Sequence, residues 1–263
     1  MIIIGEKING TIKSVGEAIA RRDKEFIQKL ARDQEAAGAD YIDLCAGTEP
    51  SKEVESLRWL VEIVQEVVNV PLCLDSPSPD TLAEVIPYAG KRGLINSVSE
   101  EGDKPEKIFP LARQYGWDVI ALTLDDKGIP KDVETRLGIA RSLICKAQGY
   151  GISADRLYID PLVIALSTDN QSMLKFVEVM RRLKEEFPQV NITSGLSNIS
   201  FGMPKRKVVN RHFLTIALYE GMDSAILDPL DRELMGSIYT TEALIGKDRY
   251  CRAFANAYRK GLI

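Results

Sequence analysis

Eight apolar, β-rich runs in this chain lead into side chains able to hold a ligand by hydrogen bonds. The first runs into Glu6 with Asn9 nearby, and the second carries Asp43. The third ends in Asp75-Ser76, the fourth in Asn96-Ser97, the fifth leads to Thr123 and Asp125, and the sixth ends in Asp160. The seventh leads to Ser197-Asn198 and the eighth ends in Asp228. A carboxylate accepts two parallel hydrogen bonds from a group that presents two N–H donors side by side, and a side-chain amide both donates and accepts. Several carboxylates gathered without compensation repel one another unless a donor-rich ligand or a metal meets them. A 2-amino-4-oxo-pyrimidine edge, as in a pterin, presents such a donor pair. Asp75 and Asp160 are its natural acceptors, and Asn96 suits the rest of the ring edge. Hard cations such as Mg²⁺ compete for the same oxygens. Taken singly, each Asp or Asn is also an ordinary turn former or helix N-cap.

Residues 191–200 read as a short strand entering a Gly/Ser/Asn-rich turn, followed by a basic loop (Lys205, Arg206, Lys207) and an apolar helix over 208–219. Asn198 in that turn is expected to touch the reacting atom of the bound ring. Lys205 and Arg206 are either a solvated charge run or a contact to an acidic ligand tail or partner. The lone histidine, His212, sits in the apolar helix and argues against a His-rich metal site and against Ser-His-Asp chemistry. Four cysteines (Cys45, Cys73, Cys145, Cys251) form no C-x-x-C pair, so no zinc clip is suggested. Lys7 lies just beyond the first run without a second feature to support a Schiff base.

The runs that position these groups are residues 2–5, 41–45, 72–75, 93–96, 119–123, 157–160, 192–195 and 224–227. Amphipathic segments separate them: over 51–68, Val54, Leu57, Val61, Val64 and Val68 recur at helical spacing. Ser78-Pro79 offers an N-cap followed by proline at the first helical position, and Gly38 and Gly151 are stop signals. No linker composition divides the chain, so residues 1–263 are expected to form one domain. Eight β/α units most simply close into a (β/α)8 TIM barrel, although an open doubly wound sheet has the same periodicity. A last helix over 248–260 would pack outside. In such a barrel the functional face lies at the C-terminal strand ends, where the acidic and amide side chains fall.

The 263 residues are 45% hydrophobic and 27% charged, the balance of a soluble globular protein. A formal net charge of −4 argues against a nucleic-acid footprint. No apolar run approaches the roughly 18 residues of a membrane span, and the N-terminus lacks a signal pattern, so a cytoplasmic protein is expected. Its partners should be small molecules or proteins.

The chain resembles the methyltetrahydrofolate:corrinoid (iron-sulfur) protein methyltransferases, whose pterin-binding barrel is shared with the folate domain of cobalamin-dependent methionine synthase. The resemblance runs from Gly5-Glu6-Lys7-Ile8-Asn9-Gly10 through Leu72-Cys73-Leu74-Asp75-Ser76, Ile95-Asn96-Ser97, Gly128-Ile129-Pro130-Lys131-Asp132, Tyr158-Ile159-Asp160-Pro161-Leu162 and Gly195-Leu196-Ser197-Asn198 to Asn210-Arg211. It implies that Asp75, Asn96 and Asp160 hold the pterin and that Asn198 contacts the N5 region. Glu6, Asn9, Ser197 and Asp228 would complete the folate-contacting rim. The implied reaction moves a methyl group between N5 of tetrahydrofolate and the cobalt of a corrinoid (cobalamin) carried on a partner protein, in a homodimeric enzyme. The chain departs from the family at Asp125-Asp126, where the family carries an asparagine. Two other functions share the fold. A dihydropteroate synthase would want a lysine directly after strand seven and basic residues after strand eight, where this chain has Ser197-Asn198 and Asp228-Pro229. A non-catalytic folate-binding module of a larger assembly would bind methyltetrahydrofolate without turning it over.

Overall fold

In the computed structural model, which describes residues 1–263, each apolar run forms a strand followed by one or two helices. In chain order these are β1 (Ile2–Asn9), α1 (Lys13–Ala20), α2 (Lys24–Ala36), β2 (Tyr41–Cys45), α3 (Pro50–Gln65), β3 (Leu72–Asp75), α4 (Pro79–Val85), β4 (Leu94–Glu100) and α5 (Lys104–Tyr115). The second half contains β5 (Asp118–Asp125), α6 (Val133–Gly149), β6 (Leu157–Asp160), α7 (Ser172–Glu186), β7 (Asn191–Ile192), α8 (Arg206–Tyr219), β8 (Ser224–Leu227), α9 (Arg232–Leu244) and α10 (Arg252–Arg259). All strands run parallel in the order β7-β6-β5-β4-β3-β2-β1-β8. The sheet closes through a bridge between Gly195 and Ile226, with Ile226 N–H donating to the Ser194 carbonyl at 2.9 Å. The architecture is the expected (β/α)8 barrel rather than an open sheet.

Two layers of apolar contact follow from strand alternation, since successive side chains face opposite sides of a sheet. A large cluster that includes Ile42, Leu44, Leu74, Ile95 and Val119 packs between strands and helices. A small one, Ile4, Cys73, Leu94, Ile120 and Tyr158, plugs the barrel interior. Asp43 and Asp75 share the parity of Cys73, which turns them inward as their sequence positions suggest. Helix starts follow local chemistry: Ser78 caps α4 by accepting from Thr81 N–H at 3.2 Å, with Pro79 at the first helical position. Asp132 caps α6 by accepting from Thr135 N–H at 2.8 Å.

Several strand limits differ from expectation. β1 continues past Gly5 because a register shift between Gly5 and Ile8 lets pairing with β2 resume, which puts Asn9 on the strand. β4 passes Asn96 and reaches Glu100 through two further shifts. β7 is shorter than the apolar run: only Asn191 and Ile192 pair in register with β6, and Thr193 N–H adds one bond to the Ile159 carbonyl at 2.9 Å. The segment expected to form one last helix is broken, because Tyr250 and Cys251 adopt positive φ and α10 starts only after them. No helix is long and apolar enough to cross a membrane.

Candidate active site

The C-terminal strand ends gather the acidic and amide side chains into two adjoining groups. The deeper one holds Asp43, Asp75, Asn96 and Asp160. Asp43 on β2 is buried beside Cys73 of β3 and accepts a hydrogen bond from Asn96 Nδ2 at 3.3 Å. Burial, then the neighbouring Asp75 charge, hold its carboxyl well above the ordinary range. Asp75 is pushed up to about 6, mainly by burial, while the Cys45 thiol hydrogen bond pulls it back. Asp160 is also pushed to about 6 by burial, against hydrogen bonds from Leu162 N–H at 2.8 Å and Gly195 N–H at 3.3 Å and the positive charge of Arg136. None of these carboxyls forms an ion pair, and Asp43 and Asp160 are buried while Asp75 is half-buried.

The outer group borders a cavity of about 480 Å³ between the ends of β1, β7 and β8, lined by Glu6, Asn9, Ser197, Asn198, Arg206 and Asp228 among others. Asp228 is paired with Lys7 at 3.0 Å, which gives that lysine a plain structural partner. Glu6 is raised to about 7, first by burial and then by Asp228, against Lys7 and Arg206. Asn198 lies over Gly195, where an added Cβ would come within 2.9 Å of its Nδ2. Because the Gly195 amide also reaches Asp160, this turn joins the two groups.

The basic loop divides. Arg206 turns to the cavity, donating to the Ser197 carbonyl at 2.8 Å and to Ser200 Oγ at 3.1 Å. Lys207 pairs with Asp231 at 3.1 Å. Lys205, expected beside Arg206 as a tail or partner contact, does not line the cavity: it is exposed in the left-handed region before α8. Asp125 and Asp126 lie apart from both groups, in a surface hollow with Glu100 and Lys127. Sequence reasoning placed Asp43 on the rim without a role, although its strand parity with Asp75 was the signal that the two would meet. It also passed over Phe201, which lines the cavity with its ring 5.8 Å from the Arg206 guanidinium. An isolated aromatic after a turn carries no periodic signal.

Chemically, the deep group is a set of buried or half-buried acceptors with one amide, and none of Asp43, Asp75, Asn96 and Asp160 lines the cavity of the outer group. It suits a flat heterocycle bearing adjacent N–H donors, and the neighbouring cavity leaves room for what that ring carries. Comparison with known proteins bears on the same question. The family model described as "Pterin binding enzyme" matches residues 5–228. The chain is 48% identical, over an alignment of 265 residues covering 100% of it and 98% of the relative, to a "Methylcorrinoid:tetrahydrofolate methyltransferase" of Eubacterium limosum. It is 32% identical over 240 residues to the "Methionine synthase" of Mycobacterium tuberculosis, covering 86% of this chain but only 20% of that protein. Among solved structures, the dihydropteroate synthase of Xanthomonas albilineans in complex with 7,8-dihydropteroate superposes with a TM-score of 0.67 at 17% identity, covering 92% of each chain. The Yersinia pestis enzyme does so at 0.66 and 16%, covering 92% of this chain and 93% of that one. At such identities the likeness is one of fold.

Proposed function

The chain belongs to the pterin-binding enzymes, and from that premise we infer that it is a methyltransferase moving a methyl group between N5 of tetrahydrofolate and the cobalt of a corrinoid protein. The observation that carries this reading is the full-length likeness to the Eubacterium limosum methyltransferase. The dihydropteroate synthases share the barrel at 16–18% identity, and Asn198 and Asp228 stand where that chemistry wants cations.

In this reading Asp75 and Asp160 accept the paired N–H donors of the pterin and Asn96 meets the remaining ring edge, leaving N5 toward Asn198. A methyl group on a neutral tertiary amine transfers poorly, because the amine would leave as an anion. Bond making at cobalt and N–CH₃ cleavage therefore need a proton or an equivalent hydrogen bond at N5. The Asn198 amide does not titrate, so its role is to orient and stabilise the activated N5 electrostatically. Glu6 borders the same cavity and titrates near neutrality, which fits the proton that N5 gains and gives back. Asn9, Ser197 and Asp228 line the cavity into which the benzoyl-glutamate tail would extend, and Arg206 on the same cavity suits its acidic end.

The corrinoid is the second substrate and arrives on a partner protein. Exposed apolar side chains on four of the loops that follow strands, Ile12, Ile129, Phe201 and Leu230, support docking at the barrel mouth. An exposed apolar face on α7 and α8, with Leu174, Ile216 and Tyr219, supports a homodimer. Four free cysteines are compatible with the reducing cytoplasm. The test is an anaerobic spectroscopic assay with Co(I) cobalamin and methyltetrahydrofolate, and in reverse with methylcobalamin and tetrahydrofolate. Enzyme-dependent interconversion is expected. A protein that binds folate tightly yet exchanges no methyl group with free cobalamin or any corrinoid protein would be a binding module instead.

A further inference from the structure

Arg136 sits in the first turn of α6 and is fully buried. Both facts run against ordinary placement: a cation is unfavourable at a helix N-terminus, and a guanidinium taken out of water needs strong partners. No carboxylate hydrogen-bonds to it. Its Nε donates to the Pro130 carbonyl at 2.9 Å, and its Nη1 donates to the carbonyls of Pro161 and Leu162 at 3.0 and 2.6 Å. Nη2 is buried without a partner. One side chain thus ties the loop after β5 to the loop after β6, immediately beyond Asp160.

The second loop has reason to be tied. Leu162 has φ of +60°, a left-handed conformation that disfavours a side chain with a Cβ. That turn is also what brings the Leu162 N–H to Asp160 Oδ1 at 2.8 Å, which leaves Oδ2 with only the longer bond from Gly195. Among charged groups Arg136 is the one that acts on Asp160, while Asp169 from the β6–α7 loop and Asp132 at the start of α6 face Arg136 itself. We propose that Arg136 is a positioning residue: by clamping the Pro161 and Leu162 carbonyls it fixes the turn that orients the Asp160 carboxylate toward the ligand's N–H donors. This rests on the folate reading given above. A lysine would keep the charge but not the planar fork that reaches two loops at once.

The experiment follows Asp160 by ¹³C NMR of labelled aspartates in ligand-free protein, assigned with Asp160→Asn, alongside folate titrations and thermal unfolding of each variant. Arg136→Met is expected to move the Asp160 titration upward by about one pH unit and to weaken folate binding about tenfold just above pH 6. In the Asp160→Asn background the same substitution should cost less than about twofold. An equal loss in both backgrounds, or an unmoved Asp160 titration, overturns the proposal. Arg136→Lys covers the case in which the Met variant does not fold. It should leave the Asp160 titration nearly in place and lose about threefold in affinity, and full affinity would overturn the clamp. Failure of the folate reading looks different: wild-type protein would bind no folate at any pH, while the ligand-free titration would still report on Arg136.

Discussion

Lowering the pH from 8 to 5 is expected to release folate from the barrel while the barrel stays folded. Asp75 and Asp160 titrate at about 6 in the unliganded protein, and only the ionised carboxylate accepts two N–H donors. One pH unit below the midpoint about one carboxyl in eleven is ionised, so two independent sites together reduce affinity by roughly a hundredfold at pH 5. Above about pH 7.5 affinity should be flat. At pH 6 each site is half protonated, so binding should release about one proton in total, measurable by titration calorimetry in buffers of different ionisation enthalpy. Stability of the unliganded protein runs the other way. These folded-state values lie above those of the unfolded chain, so the groups favour folding below about pH 4. That contribution is lost as pH rises through 6 and, for Glu6, through about 7. Stabilisation by a fixed folate concentration should therefore be larger at pH 8 than at pH 5.5. Affinity constant from pH 5 to 8, with no buffer dependence of the heat, would refute the assignment of these carboxylates as pterin acceptors.

Three substitutions probe the outer group. Asn198→Ala should keep folate affinity and lose about 10²–10³ in rate, roughly 2.7–4 kcal/mol of transition-state stabilisation, as read in the anaerobic cobalamin assay. Gly195→Ala puts a Cβ 2.9 Å from Asn198 Nδ2. Because that atom ends a mobile side chain and Gly195 φ is −69°, the melting temperature should barely change while turnover falls at least tenfold; unchanged turnover would show that Asn198 need not keep its place. Phe201→Asp at the mouth should raise KM for a corrinoid protein several-fold and leave folate affinity within about twofold, as compared by steady-state kinetics and calorimetry.

The strand-end placement of Asp75 and Asp160 was legible because strand ends and side-chain parity are local: a four-residue apolar run closing on a carboxylate announces both the strand and the direction of its last side chain, whereas the continuation of β4 past Asn96 was not. Nor was the shortness of β7. Thr193 and Ser194 have the composition of a strand, yet each keeps a single backbone hydrogen bond to a neighbouring strand, Thr193 N–H to the Ile159 carbonyl and the Ser194 carbonyl from Ile226 N–H, and only the closing geometry of the barrel decides that. Lys205 and Arg206 are neighbours in sequence, yet a single left-handed residue sends one to solvent and the other to the cavity. Arg136 was invisible for a related reason. In sequence it is one more charged residue in a helix, and its burial depends on two carbonyls lying 25 and 26 residues away.

The sparse pairing of β7 gives the two walls of the barrel different stiffness. Asp75 and Asn96 stand on strands laddered on both sides, whereas Asn198 follows a strand of two residues joined toward β8 by two backbone hydrogen bonds, Asp223 N–H to the Ile192 carbonyl and Ile226 N–H to the Ser194 carbonyl. Few hydrogen bonds must break to open that seam, so amide exchange at Gly195 and Ile226 should outpace exchange in β3 and β4. In the proposed reading the ring would be gripped by the firm wall, and the edge that must admit a second, bulky reactant is the one that yields at least cost.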